Sequence, residues 1–135
     1  MDKIEATFRG DRLIHDLGME LLEAREGYAR VSVRAEDRFL NSHGVAHGVL
    51  VFAVADAAFA LAANGVTEAI GVQWSFGVFR AARAGETLIG EARAVHQGQR
   101  LIVCELSVTN GEGQLLARGQ AMALPATRES FRNRS

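Results

Sequence analysis

Cysteine occurs once in these 135 residues, at Cys104. No disulfide can form within the chain, and no thiolate cluster is there to hold a metal. The run Leu101-Ile102-Val103-Cys104-Glu105-Leu106 surrounds it as a buried structural thiol is surrounded, not as a nucleophile. Excess charge of one sign is also missing. Fifteen Lys and Arg against 16 Asp and Glu leave a formal net charge of −1, and nothing in that balance points to nucleic acid or an anionic membrane. The opening Met1-Asp2-Lys3-Ile4-Glu5 lacks the apolar run of a signal peptide. No Lys-Ser/Thr follows Gly44 to Gly48, so that segment is not a phosphate loop. Ser42 and Ser75 have no Gly-x-Ser-x-Gly setting. Linkers, repeats and low-complexity tracts are absent.

What is there suits one domain over residues 1–135, with ordinary hydrophobic content. Residues from about 126 onward, mildly basic, read as a frayed, flexible tail. Lys3 to Gly10 is expected to form a short helix. Met19 to Ala24 and Tyr28 to Val33 read as strands joined around Glu26-Gly27, and a polar loop runs from Arg34 through Gly48. Val49 to Ala63 reads as a helix, rich in Ala and Leu, with Asn64-Gly65 as its stop. It is apolar all round, the pattern of a buried helix. It is also too short for a bilayer and carries an acid at its centre. Four more strands follow: Gly71 to Phe79, Thr87 to Val95, Leu101 to Thr109 and Leu115 to Leu124. The class is α+β. About six strands with one long helix imply a mostly antiparallel sheet curled around that helix, in a soluble cytoplasmic protein.

Asp56 is the one polar residue between Val49 and Ala63. A carboxylate there must be paired, hydrogen-bonded or neutralised, because burying it bare is costly. It has either a structural partner or a chemical task. Gly48 stands where the loop enters the helix. The first N–H groups of a helix have no internal partner and carry the positive end of its dipole. Glycine lets a ligand carbonyl approach them, which suits an oxyanion hole as well as it suits a tight turn. Asp56 lies eight residues on, ~12 Å along the axis. It cannot reach a carbonyl held at Gly48 of its own chain. Either the two groups belong to different chemistry, or a two-fold partner brings its own Asp56 to this Gly48.

Asn41 has an amide that orients a carbonyl or a water, or else caps the loop. His43 and His47 are spaced i, i+4, but the spacing matches no zinc motif, so no metal is expected. His47 is expected to bond the backbone. Arg80 and Arg83 at a strand end, with Gln99 and Arg100 in the next turn, are candidates for phosphate contacts or for solvated surface.

Together these residues resemble a known family. Asn41-x-His43-x-x-x-His47-Gly48, followed by Phe52, Asp56 and Asn64, is similar to the motif of hotdog-fold acyl-CoA thioesterases of the phenylacetate-degradation (PaaI-type) group. Phe79-Arg80-Ala81-Ala82 before Gly85-Glu86-Thr87-Leu88, and Val95-His96-Gln97-Gly98 before Leu101, resemble it too. The likeness runs from about Gly18 to Leu124. It implies a helix wrapped by an antiparallel sheet, dimers that pair into tetramers, and cofactor-free hydrolysis of aryl or medium-chain acyl-CoA. It also implies roles. Gly48 N–H polarises the thioester carbonyl, the partner's Asp56 is nucleophile or base, and Asn41 positions the thioester or the water. His47, Val49, Arg80, Gln99 and Arg100 fall among the substrate contacts. The chain departs from the family at Val49, which replaces a second glycine, and at Ala81, which replaces a proline. Val49 leaves the Gly48 N–H in place. The alternatives are a hotdog enoyl-CoA hydratase, which needs an Asp and His pair not evident here, and a non-catalytic acyl-CoA-binding module.

Overall fold

The computed structural model describes residues 2–132. The elements are α1 Asp2–Gly10, α2 Arg12–Asp16, β1 Glu20–Arg25, β2 Tyr28–Arg34, a 3₁₀ turn Asp37–Phe39, α3 Gly48–Val66, β3 Ala69–Val78, β4 Thr87–Gln97, β5 Ile102–Asn110, β6 Leu115–Pro125 and α4 Arg128–Arg132. One six-stranded sheet, in the order β1-β2-β4-β5-β6-β3, is antiparallel at every pairing. It curls around α3, the hotdog arrangement, because alternate residues of each strand are apolar and must find one shared core. Val31, Val33, Leu88, Ala92, Leu106 and Leu116 from the sheet meet Val51, Val54, Ala58, Phe59 and Leu61 from the helix. Each such large side chain, fully buried, contributes roughly 1.5–3 kcal/mol of transfer free energy.

The run of alanines on α3 lets the strands approach closely. At Gly90 of β4 a Cβ would stand 2.3 Å from the carbonyl oxygen of Val54, so only glycine admits the helix backbone there. Gly119 of β6 would likewise place a Cβ 2.2 Å from the Ser75 carbonyl oxygen on β3.

Several expectations need correction. Asn64-Gly65 does not stop α3, which runs 19 residues to Val66. Asn64 stays in the helix because its Nδ2 donates to the Ala60 carbonyl at 2.9 Å and its Oδ1 accepts from Ala69 N at 3.1 Å. Gly65 serves a close approach, since a Cβ there would meet Ile4 at 3.1 Å and the Arg25 carbonyl at 3.2 Å. With that extra turn α3 becomes long and apolar enough to cross a bilayer, but most of the apolar window is buried inside the sheet as a core helix. Nor is α3 buried all round. Gly48, Val49, Phe52, Ala53, Asp56 and Ala60 form a stripe that the rest of the chain leaves partly or wholly open.

Helix α2 was not anticipated. It is a single short turn whose start is set by Asp11, the side chain of which accepts from Ile14 N at 3.1 Å. The polar loop before α3 contains the 3₁₀ turn and two isolated bridges, Leu40 to Ala46 and Val45 to Arg83. Within the segment expected to be a frayed, flexible tail from about residue 126, α4 forms. Thr127 and Ser130 cap it reciprocally, Ser130 N donating to Thr127 Oγ1 at 2.9 Å and Thr127 N to Ser130 Oγ at 3.0 Å. The rest of that expected tail, 133–135, lies outside the described residues.

Candidate active site

The N-terminus of α3 sorts its own N–H groups. His47 is the cap residue, with φ −60° and ψ 139°. Its Nδ1 accepts from Val49 N at 3.0 Å, and its carbonyl accepts from Leu50 N at 2.9 Å and Val51 N at 3.3 Å. Gly48 N–H alone in that first turn has no partner among the described residues. Apart from its chain neighbours and the backbone of its own helix, no atom lies within 4 Å of where a Gly48 Cβ would be. One exposed donor at the positive end of a 19-residue helix is thus left for a ligand. The backbone bond expected of His47 is the one that leaves it so.

Asn41 holds the loop that leads there. Its Oδ1 accepts from His43 N at 2.9 Å and Val45 N at 3.3 Å, and its own N–H donates to the Val45 carbonyl at 2.8 Å. Gly44, at φ 79°, makes the turn possible. The Asn41 carbonyl oxygen is therefore spent on the loop, and the Nδ2 amide is the part without a partner among the described residues. The loop is tied to the segment after β3 by Ala46 N, which donates to the Ala82 carbonyl at 2.8 Å.

Asp56 lies further along the open stripe, half-buried. Its Oδ1 accepts from Trp74 Nε1 of β3 at 2.8 Å. Phe52 holds the indole from the next turn, with ring centres 6.2 Å apart, and also meets Phe76 at 5.5 Å. Burial pushes the Asp56 carboxyl up from the ordinary range, the Trp74 N–H draws it back, and the negative charge of Asp11 raises it further. Neither Trp74 nor Asp11 was legible as a neighbour of Asp56. Trp74 is the only tryptophan and sits in the alternating apolar run of β3. That run gives its face, but not its level on α3.

The remaining candidates divide. Val49 and His47 line an apolar pocket of about 350 Å³ between α2, the 3₁₀ turn and α3. Arg80 and Arg83 line a polar cleft of about 260 Å³ with Glu86, Asn110 and Glu112, and Arg83 bridges to Val45 of the loop before Gly48. Gln99 and Arg100 follow the other end of β4, an 11-residue strand that spans about 30 Å. The fold of the chain therefore does not bring them to Arg80. Cys104 is fully buried, its thiol pushed up to about 11 by that burial, and stands apart from the stripe. Among the described residues no three His, Cys, Asp or Glu side chains stand together as a ligand group.

The arrangement has known counterparts. Residues 43–117 match the thioesterase superfamily model. The acyl-coenzyme A thioesterase PaaI of Escherichia coli is 30% identical over 125 residues, covering 90% of this chain and 89% of that protein. The structure of the E. coli PaaI protein from the phenylacetic acid degradation operon superposes with a TM-score of 0.90 at 27% identity, over 93% of this chain and 92% of the other. The Streptococcus mutans protein smu.793, solved bound to acetyl CoA, superposes with a TM-score of 0.77 at 25% identity, over 81% and 89%.

Proposed function

Because the chain belongs to the thioesterase superfamily and is a thioester hydrolase of the PaaI-type hotdog group, we propose that it hydrolyses acyl-CoA at a site shared by two protomers. The observation that carries this is the single unpartnered N–H of Gly48 at the head of α3. The acetyl CoA bound to the S. mutans relative supports CoA as the carrier.

In this reading the thioester carbonyl oxygen accepts from Gly48 N–H, and the helix dipole stabilises the negative charge that grows there, worth about 3–4 kcal/mol. Asp56 acts in one of two ways. As base, its carboxylate takes a proton from water while the water oxygen bonds to the carbonyl carbon. The C–S bond then breaks, and the CoA thiolate leaves and takes the proton back. As nucleophile, Asp56 bonds to the carbonyl carbon, expels the thiolate and forms an anhydride, which water opens. Either way the products are the free acid and CoA. The Asn41 Nδ2 amide donates to the thioester or to the water. Arg80 and Arg83 meet CoA phosphates.

Asp56 must come from the partner, since it lies ~12 Å beyond Gly48 on one helix. The fold offers a suitable edge. Strand β3 ends the sheet, carries no charged residue, and leaves Val72, Trp74, Val78 and the following Phe79 exposed. An edge like this pairs readily with a second copy. The opposite edge, β1, is guarded by Glu20, Glu23 and Arg25. Phe52 stands midway between Gly48 and Asp56 and touches Phe76. An antiparallel β3 pairing centred level with Phe76 sets the two α3 helices side by side in opposite directions, each Gly48 opposite the other chain's Asp56.

The test is release of free CoA thiol from acyl-CoA, read with a thiol-reactive dye. The native chain should release it. Asp56→Ala should lose at least about 10²-fold in kcat while keeping its circular dichroism. Full turnover in a folded Asp56→Ala would remove Asp56 from the mechanism. Label found in the Asp56 side chain after a single turnover in ¹⁸O-water would identify it as the nucleophile, since water must then have opened the anhydride at the Asp56 carbonyl.

A further inference from the structure

Asp56 has no side-chain donor on its own helix face. The residues one turn away on either side are Phe52, Ala53, Phe59 and Ala60. Among the described residues the charge that acts on it is that of Asp11, also negative, which supplies no hydrogen bond. Its Oδ1 accepts from Trp74 Nε1, and its Oδ2 has no partner among the described residues. The indole is aimed from three sides. Phe52 and Phe59, one turn before Asp56 and one turn after it, lie on the same helix face as Asp56. Both rings meet the indole edge-on, with centres 6.2 Å from it and interplanar angles of 70° and 83°. Gly71 leaves the slot for the six-membered ring: a Cβ there would stand 2.7 Å from Trp74 Cζ2 and 2.8 Å from Phe59 Cε2. The register of β3 shifts between Gly71 and Gln73, and this bulge turns Gly71 toward the ring of Trp74 despite the odd spacing between them.

We propose that Trp74 is the positioning residue of Asp56: its N–H holds Oδ1, leaves Oδ2 as the oxygen that meets the reacting group, and is itself aimed by Gly71, Phe52 and Phe59. This rests on the thioesterase reading above and holds for either role of Asp56. A carboxylate without such a bond turns about its last single bond and offers its two oxygens equally. One fixed oxygen fixes the other, and a misplacement of about 1 Å at a reacting group can cost about 10²-fold. Positioning is separate from the pull of the indole on the Asp56 proton. That pull has no effect at a pH where Asp56 is fully ionised, whereas orientation counts there in full.

The experiment follows thiol release from hexanoyl-CoA and phenylacetyl-CoA across pH in the native chain, Trp74→Phe, Gly71→Ala and the double variant, each checked for fold by circular dichroism. On the plateau above the acid limb, Trp74→Phe should lower kcat at least about tenfold, the worth of one hydrogen bond to a charged group, with KM unchanged. Gly71→Ala keeps the N–H but displaces the indole, and should show the same split. In the double variant the two losses should not add, since both act through the indole. Trp74 is the only tryptophan, so its emission reports the pair without any substrate. Native emission should change with pH at the midpoint of the acid limb of kcat/KM. Asp56→Asn keeps an acceptor that does not titrate, and should abolish that change. No thiol release by the native chain would fail the thioesterase reading itself. Release with equal plateau kcat in the native chain and Trp74→Phe would leave that reading standing and overturn the positioning role. So would fully additive losses, native emission that ignores pH, or an emission change that survives in Asp56→Asn.

Discussion

At Asp56 two effects oppose each other, and their balance is measurable. Burial and Asp11 favour the neutral acid, while the Trp74 N–H favours the carboxylate. A base or nucleophile must be ionised, so activity falls as pH drops through the folded-state pKa, which lies above that of the unfolded chain. Trp74→Phe keeps a ring against Phe52 and removes the donor. The acid limb of kcat/KM against pH should then move to higher pH; an unmoved limb would mean that the indole does not tune Asp56. Stability has the opposite sign. The folded chain holds the proton more tightly, so this group costs stability as pH rises from the ordinary carboxyl range through the raised pKa. Asn41 divides differently. Its oxygen shapes the loop, whereas its amide is the free donor. Asn41→Asp keeps the acceptor and loses the donor, and should lower kcat more than it raises KM. If Asn41→Asp turns over at the native rate while Asn41→Ala does not, the residue only shapes the loop.

Among the elements, α3 is held by contact with its neighbours more than by its ends. Its expected stop at Asn64-Gly65 was overridden because Asn64 bonds Ala60 and Ala69, and because Gly65 packs on Ile4 and the Arg25 carbonyl. The tightest contact is at Gly90 on β4. Gly90→Ala would drive a methyl against the Val54 carbonyl, and the strand or the helix must move. The expected loss is about 3 kcal/mol of stability, read as a lower denaturant midpoint. An unchanged midpoint would mean that the sheet does not press on the helix at that level. Strand β3 shows the complementary case, an element whose apolar face one protomer covers only in part.

For the whole molecule the question is whether two chains complete one site. Gly48→Pro suits the test because the N–H it removes has no partner among the described residues. Proline is favoured at the first helical position, and the residue before it, His47, already has the extended ψ of 139° that a following proline requires. Gly48→Pro and Asp56→Ala should each be nearly inactive alone. Mixed and allowed to exchange, they should regain activity, since the heterodimer holds one site with both native groups. Its rate should approach half that of the native dimer. Verified heterodimers as inactive as their parents would return Asp56 to its own chain or remove it from the chemistry.

Periodicity and composition alone determined the α+β class, six strands and the long helix around which they curl. These depend on where apolar residues recur along the chain, and local spacing is visible in a sequence. The spacing of Gly48 and Asp56 likewise implied that one protomer cannot join them, because helical rise is constant. Tertiary structure decided what depends on which residues meet. It set Trp74 level with Asp56, brought α2 over the first turn of α3, and put Gln99 and Arg100 at the far end of β4 from Arg80. It also opened the stripe on a helix that reads as buried all round, because β3 lies at the sheet edge while β4 and β5 take its place in the middle. Strand order follows from long-range pairing, and no local pattern encodes it.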